Sequence, residues 1–188
     1  MKIPCKKTCY DIITSHCMMD HIVAHSKMVH DVTEMICRYL VVKYPDLNIE
    51  LSKSAALLHD ITKTRSFSTG EKHSETGGEL LESLGFPETG RIIRQHVILD
   101  CYDSNTEVNE AEIVNYSDKR VLHDRVVPLE ERLNYIYEHY VTDQKFMKQF
   151  RELREKTFEL EDKLFTRIDL NPDDLQALNN EPGRQSNL

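Results

Sequence analysis

The stretch Ala55-Ala56-Leu57-Leu58-His59-Asp60 decides the fold of this chain. Small and apolar residues with good helix propensity end here in a histidine and an aspartate. A buried helix rarely ends in two ionisable side chains unless something offsets the hydration that they lose. A metal ion would do so, and the stretch therefore predicts a helix that carries His59 and Asp60 to a metal site.

The remainder of the chain also has helical periodicity, without a convincing alternating strand and with six glycines to interrupt it. Gly85 is expected to end one helix in a left-handed conformation, Pro87 to begin the next, and Asn109 with Glu112 to cap a third. The sequence thus predicts an all-α bundle. Helices are predicted near residues 6–18, 20–43, 49–63, 73–84, 87–98, 109–122, 129–140 and 143–168.

The last of these helices is amphipathic, because Phe146, Phe150, Leu160 and Leu164 keep helical spacing between charged faces. It either packs back on the domain or meets a partner, including a second copy of the chain in a homodimer. Residues 1–168 are predicted to form a single domain with its motifs in 20–140, and 169–188 a polar, loosely ordered tail with at most one short helix.

Charge and composition exclude several classes of protein. The net charge of -8 argues against a protein that binds a nucleic-acid polymer through its phosphates. No apolar run approaches the roughly 20 residues of a membrane span, and no signal-peptide core follows Met1. The five cysteines include no Cys-x-x-Cys pair, so disulfides are not expected. We therefore expect a cytoplasmic protein that does not bind membranes.

Helical phase separates candidate ligands from surface residues in the 20–43 helix. His25 lies three residues after Ile22 and four before Val29, so it shares their apolar stripe and faces inward. His30 and Asp31 form a second His-Asp doublet, but they follow Val29 directly and turn away from this stripe. We predict that this doublet is solvated.

The same test places three further ionisable side chains on apolar faces, namely His73, His96 and Asp118. A single inward histidine is more often a hydrogen-bonded core residue than a ligand. A core that gathers all of these groups without an ion would be very costly, which favours the joint interpretation as a metal centre. Its predicted ligands are His25, His59, Asp60, His73, His96 and Asp118. The later doublet His123-Asp124 is interpreted as part of a surface ion-pair cluster.

These residues resemble the HD-domain superfamily of metal-dependent phosphohydrolases, whose signature is H…HD…D. The resemblance covers about residues 20–140. It rests on H-S-K-M-V at 25–29, A-A-L-L-H-D-I-T-K at 55–63, H-S-E-T-G-G-E-L-L-E-S-L-G-F at 73–86, I-I-R-Q-H at 92–96 and N-Y-S-D-K at 115–119.

With His73 and His96, the pattern is similar to the dinuclear branch, which includes small bacterial hydrolases of symmetrical dinucleoside tetraphosphates. It also resembles HD domains fused to nucleotidyltransferases, particularly in D-R-V-V-P-L-E-E-R at 124–132, interpreted here as a structural segment. Thr62 departs from the Gly or Ala of many relatives, and no G-Y-P follows the doublet. Cleavage of cyclic di-GMP is therefore not expected, and the chain is too short to resemble the dNTP triphosphohydrolases.

The ligand set suits one or two divalent transition-metal ions, such as Fe, Mn, Co, Ni or Zn. Asp60 is the natural bridge between two ions, with His25, His59 and Asp118 around one and His73 and His96 around the other. A metal-bound hydroxide would then attack the phosphorus.

Cations are needed for the phosphate charge. Lys63 follows His59 by four residues and is predicted to act in catalysis and substrate binding. Arg65 and Lys119 are further substrate-binding candidates, and T-R-S-F-S-T-G at 64–70 is interpreted as a loop that could cover the substrate.

The sequence therefore predicts an HD-type phosphohydrolase acting on a small phosphate compound, with a nucleotide as the leading candidate. Two alternatives remain open. One is a non-catalytic module that binds a metal or nucleotide and signals through the last long helix. The other is a dinuclear iron oxygenase with the same ligands.

Overall fold

Helices make up almost all of the regular structure in the computed structural model, which describes residues 1–141 and 143–180. The all-α class is thereby confirmed. An antiparallel hairpin of β1 (Val121–Leu122) and β2 (Arg125–Val126) was not predicted. The helices are α1 (Lys6–Ser15), α2 (Asp20–Leu40), α3 (Ile49–Leu58), α4 (Lys63–Thr69), α5 (His73–Ser83), α6 (Pro87–Arg94), α7 (Glu110–Asp118), α8 (Leu129–Tyr140), α9 (Gln144–Phe165) and a 3-10 helix (Pro172–Asn180).

The predicted helix boundaries that have a local chemical cause are confirmed. Asn109 and Glu112 form a reciprocal capping box at the start of α7. Gly85 has a φ of +84°, the left-handed conformation expected after α5, and Pro87 is the first residue of α6. These signals depend on neighbours in the sequence, which is why they can be predicted without the tertiary structure.

The core is centred on α2, whose Val29, Val32, Ile36 and Leu40 are completely buried. This helix packs against α3 and α7, and α3 in turn packs against α6. The α5 and α6 helices make the closest helix pair, because a Cβ atom on Gly90 would lie 2.6 Å from the backbone oxygen of Gly78. This packing brings ends of α3, α5, α6 and α7 to one side of α2.

Several boundaries and one loop differ from the prediction near this region. The α3 helix ends at Leu58, so His59 and Asp60 lie in the turn that follows it. The α6 helix ends at Arg94, which leaves His96 beyond its end. Residues 64–70 were predicted as a loop, which is wrong, since α4 runs from Lys63 to Thr69. The α7 helix likewise ends at Asp118 and not near residue 122. The ends of α3, α6 and α7 thus all lie at the site, where no Gly or Pro signal marks the boundary.

The C-terminal part packs back on the domain. Leu160 and Leu164 of α9 are buried, and α9 packs against α7 and α8. The short helix that the sequence allowed after residue 168 is the 3-10 helix, which packs on the domain through the buried Leu175 and Leu178. The rest of the predicted tail, residues 181–188, lies outside the described residues.

Two findings bear on the excluded classes. In residues 1–141 and 143–180, no helix combines the length and apolar character that crossing a bilayer requires. All five cysteines are free thiols, as expected. The cytoplasmic location stays a prediction.

Candidate metal centre

The tertiary structure brings the six predicted ligands to one place. His25 comes from the middle of α2, and His59 and Asp60 come from the turn after α3. His73 is the first residue of α5, while His96 follows α6. Asp118 is the last residue of α7. All of these residues except His25 lie at the end of a helix or just beyond it. At such positions the backbone can turn and direct the side chain toward the centre.

Asp60 occupies the middle of the cluster. Its Oδ1 lies 3.2 Å from His73 Nε2 and 3.6 Å from His96 Nε2. Its Oδ2 lies 3.4 Å from His59 Nε2. Potential ligand atoms form two groups that share this residue, one with His25 and His59 and one with His73 and His96. The carboxylate is therefore placed to bridge two ions.

Asp118 belongs on the side of His25 and His59. Its Oδ1 lies 3.0 Å from His25 Nε2 and 3.7 Å from His59 Nε2. Asp118 therefore lies with the group of His25 and His59, the group to which the sequence analysis assigns it.

Backbone carbonyl groups orient the imidazole rings. For three histidines the ring Nδ1 lies within hydrogen-bond distance of a carbonyl oxygen, which requires Nδ1 to carry the proton. In a neutral ring, Nε2 then has its lone pair directed at the cluster, as a metal ligand requires. The pairs are His25 with His123 at 2.8 Å, His59 with Ala56 at 2.7 Å and His96 with Ile93 at 2.7 Å. The backbone carbonyl group of His123 thus orients the His25 ring. The sequence analysis, which interprets His123 as a surface residue, does not predict this role.

Two buried atoms at the centre indicate that a cation fits there. Among the described residues, His59 Nε2 and Asp60 Oδ1 have no hydrogen-bond partner although both are buried. Such atoms are rare because leaving them unpaired costs free energy. His73 Nε2 and His96 Nε2 also face each other at 3.1 Å, an arrangement that needs a proton or a cation between them. Divalent metal ions would satisfy all four groups.

The electrostatics of the cluster favour carboxylates that remain ionised. Burial by itself would raise the pKa of Asp60, but the charges of His59 and Lys63 hold it well below its usual value. Burial acts in the same way on Asp118, and there a hydrogen bond from His25 and the charge of His59 outweigh it. Both side chains are thus anionic near neutral pH, as ligands of a divalent cation need to be.

The pKa values of His96 and His59 shift in opposite directions. Burial lowers the pKa of His96. Burial would also lower the pKa of His59, but the adjacent Asp60 carboxylate raises it overall. A metal ion and a proton compete for His59, so metal binding should weaken as the pH falls.

Comparison with known proteins identifies the family of this chain. The family model for the HD domain matches residues 22–170. The chain belongs to the HD-domain family. That family places it among metal-dependent hydrolases, which bind divalent metals through His and Asp residues.

A solved structure from an uncultured Thermotogales bacterium, described as a predicted HD superfamily hydrolase, is also similar. It has 21% sequence identity and a TM-score of 0.48, and the match covers 84% of this chain and 87% of the other. No curated protein matches the sequence.

Two cavities open onto the centre of this HD domain. The larger, of about 450 Å³, reaches His73, His96 and Asp118, and the smaller, of about 280 Å³, reaches His25 and Asp60. A small molecule can therefore approach the metal ligands from two directions.

Lys63 lines both cavities. Its Nζ donates a hydrogen bond of 2.7 Å to Asp60 Oδ2. Burial would lower its pKa, but the carboxylates of Asp60 and Asp118 raise it above the usual value. Lys63 therefore supplies a permanent positive charge at the centre. The sequence analysis predicts this position for its ammonium group.

Arg65 and Lys119, the other two predicted substrate-binding cations, differ in their position relative to the cavities. Arg65 is exposed and its Nε donates to Glu71 Oε1 at 2.7 Å, so the structure does not bring it into either cavity. Lys119 lines the larger cavity, is almost fully buried and donates to the backbone oxygens of His96 and Asn115. Burial lowers the pKa of Lys119 to about 8.

Arg132 is the residue that the sequence analysis missed. It lines both cavities, and its Nη2 lies 3.9 Å from Asp118 Oδ1. Among the described residues its buried Nε has no hydrogen-bond partner. A signal was present, since Arg132 lies between Leu129 and Leu133 on the apolar stripe of α8. The segment had been interpreted as purely structural.

The prediction that His30 and Asp31 are solvated is wrong for His30, which is buried. Its Nδ1 lies 2.9 Å from Asp31 Oδ1, and burial lowers its pKa to about 4. Together with Glu34 these side chains form a third group of potential ligands. Glu34 already accepts a hydrogen bond from Arg38 and pairs with Lys53, however, so cations already neutralise this group.

Proposed function

We propose that this HD domain hydrolyses a phosphoester or phosphoanhydride bond of a small molecule, with a nucleotide as the leading substrate, at a centre of two divalent transition-metal ions. The observation that carries the proposal is the position of Asp60. Its buried Oδ1 has no hydrogen-bond partner among the described residues, and imidazole groups surround the carboxylate on both sides. When bound, such ions lower the pKa of a coordinated water and withdraw charge from a phosphoryl oxygen.

Ligand chemistry supports the choice of metal. Imidazole nitrogen and carboxylate oxygen in one site favour Fe, Mn, Co, Ni or Zn over calcium, which prefers oxygen alone. His25, His59 and Asp118 would hold one ion, His73 and His96 the other, and Asp60 both. The backbone hydrogen bonds to three of these rings fix their orientation before a metal arrives.

Cationic side chains support phosphate as the reacting group. Lys63 and Arg132 line both cavities and lie beside the carboxylates that would hold the metals. They can donate hydrogen bonds to phosphoryl oxygens and stabilise the charge that grows there in the transition state. A protein with a net charge of -8 needs such local cations to attract a phosphate compound.

Aromatic side chains support a nucleotide. Phe67 and Tyr140 line both cavities, and Tyr135 lines the smaller one. Their rings offer flat surfaces on which a base can stack. This feature was not evident in the sequence, because Phe67 comes from α4 and the two tyrosines from α8.

Metal analysis followed by a phosphate-release screen tests the proposal. The purified protein should contain about two ions per chain, and His96→Ala about one, because it removes a ligand of only the second group. His59→Ala and Asp60→Ala should lose metal and all turnover. His30→Ala is the matched control: it removes another buried histidine and should keep its metal.

The screen uses nucleotides and dinucleoside polyphosphates. Full metal content in both the His59 and Asp60 variants would refute the metal centre. Oxygen consumption by iron-loaded protein without phosphate release would favour the oxygenase. Nucleotide binding without turnover would favour the non-catalytic module.

A further inference from the structure

The two cavities at the metal centre meet at a shared boundary. Both are lined by Lys63 and Arg132, and Phe67 and Tyr140 also border both. The two shared cations lie beside Asp60 and Asp118, so a bound phosphate group is best stabilised at this boundary. Two groups attached to that phosphate could then occupy different cavities, one in each.

The larger cavity has a mostly apolar lining, in which Ser66, Tyr140 and Gln149 are the polar side chains besides the metal ligands and cations. We call it the apolar cavity, and its defining residues come from the segment after α6 and from the facing sides of α8 and α9. They are Val97, Ile98, Ile136, Phe146, Phe150 and Leu153.

The smaller cavity, which we call the polar cavity, differs in character. Besides the metal ligands and shared residues it is lined by two apolar side chains, Ile22 and Leu122, and by three that can form hydrogen bonds, His21, His123 and Tyr135. An apolar group placed there would remove these polar atoms from water without replacing their hydrogen bonds, which costs free energy. The polar cavity therefore suits a hydrogen-bonding group and also has less room, about 280 Å³ against 450 Å³.

The mouth of the apolar cavity gives an independent indication of a ligand. Ile98 is 68% exposed, Phe67 63%, Tyr140 60% and Phe146 48%. Single exposed apolar residues are ordinary, but these four border one cavity. Their side chains remain in contact with water unless a ligand covers them, so binding an apolar group there would gain free energy from burial.

We propose that the substrate is an unsymmetrical phosphodiester or phosphoanhydride, with an aliphatic or aromatic group in the apolar cavity and a smaller hydrogen-bonding group in the polar cavity. This inference rests on the proposed phosphohydrolase function and specifies its substrate. In the reaction, the oxygen of water forms a bond to phosphorus, one phosphorus–oxygen bond breaks, and the departing oxygen takes up the proton that the water loses. A symmetrical dinucleoside polyphosphate fits poorly, since identical halves would enter unlike cavities.

Binding of phosphonates, which are not hydrolysed, tests the apolar cavity without relying on turnover. Methylphosphonate and butylphosphonate would be titrated into metal-loaded protein by calorimetry. Each methylene that enters the apolar cavity is worth about fourfold in affinity, so butylphosphonate should bind at least tenfold more tightly. Equal affinities would overturn the inference while leaving the phosphate site intact. No binding of either compound would instead count against the proposed function.

Substitutions at the exposed mouth test whether the apolar cavity causes the preference for butylphosphonate over methylphosphonate. Ile98→Gln and Phe146→Gln should each reduce the ratio of the two affinities severalfold, because they place a polar amide where the butyl group lies. Val42→Gln is the matched control, since Val42 is 86% exposed and borders neither cavity, and it should keep the parent ratio. An unchanged ratio in both mouth variants would overturn the assignment of the apolar group to this cavity.

Phosphinates with two substituents test the asymmetry. Butyl(2-hydroxyethyl)phosphinate should bind more tightly than dibutylphosphinate, because the second butyl group must enter the polar cavity beside His21 and His123. Tighter binding of dibutylphosphinate would refute an unsymmetrical substrate.

Discussion

Lys63 combines three properties that a residue acting on phosphate needs. It is held 2.7 Å from Asp60, it remains protonated because carboxylates raise its pKa, and it faces both cavities. We expect Lys63→Met to keep its metal, since the six ligands are unchanged, and to lose turnover by about 10²-fold or more. Metal content and kcat/KM on the substrate found in the screen check this.

Lys53→Met is the control for the Lys63 prediction. Lys53 also pairs with carboxylates, those of Glu34 and Glu50, but it lies outside both cavities at the metal centre. This variant should keep the parent turnover. If Lys63→Met matched the parent as well, Lys63 would have only a structural role.

The buried His30 should make the free energy of unfolding depend on pH. Burial lowers its pKa to about 4 in the folded chain, whereas an unfolded chain binds the same proton near pH 6.5. As the pH falls from 6.5 toward 4, protons therefore bind the unfolded state first and stability is lost. Between pH 7 and 4.5 the loss from this residue should be about 2–3 kcal/mol.

Urea unfolding of metal-free protein at both pH values measures this loss, with His30→Gln as the comparison. The variant cannot take up the proton, so its free energy of unfolding should fall less than that of the parent over the same range. Equal decreases in both proteins would show that His30 is not responsible.

At the scale of helices, the close packing of α5 on α6 sets the distance between His73 and His96. A Cβ atom on Gly90 would lie 2.6 Å from the Gly78 backbone oxygen, a contact that only movement of a helix can relieve. We expect Gly90→Ala to lower the free energy of unfolding by about 1–3 kcal/mol and to weaken binding of the second metal ion. Denaturant titration and metal stoichiometry measure the two effects.

Gly77 provides a matched control in α5. A Cβ atom there would have its nearest contact, at 3.2 Å, with the side chain of Ile93, which can adjust. Gly77→Ala should therefore cost little and gain about 1 kcal/mol from helix propensity. If Gly77→Ala destabilised the protein as much as Gly90→Ala, the close backbone contact would not explain the effect.

At the scale of the whole molecule, the 3-10 helix closes the bundle beside the β-hairpin. Leu175 is completely buried, and the Asn179 side chain exchanges two hydrogen bonds with the backbone of Val126. Arg120 also donates to the backbone oxygen of Pro172. We expect Leu175→Ala to cost about 2–5 kcal/mol of unfolding free energy, as for other buried leucines.

Urea unfolding measures this cost, and Gln176→Ala is the control because Gln176 is the neighbouring residue and is not in the core. The control should change stability by less than about 0.5 kcal/mol. A Leu175 variant as stable as the parent would mean that the segment is not part of the folding unit.

The sequence by itself predicted the all-α class, the capping residues and the set of ligands that the structure brings together. These depend on periodicity, on neighbours within a turn of helix, or on the ionisable type of a residue on an apolar face. His25 and Asp118 are examples, since each lies on the apolar stripe of its own helix.

Only the tertiary structure decided the features that join separate segments. His30 is buried because residues near Pro4 and Lys6 approach it beside α3, a second covered face of α2 that a single-stripe analysis does not detect. The carbonyl of His123 orients His25 across 98 residues of sequence. The two cavities, and the position of Arg132 between them, likewise follow from how α8 and α9 pack over the metal centre. Side-chain periodicity within one helix carries no information on which other segment covers it, and this is why these features could not be predicted.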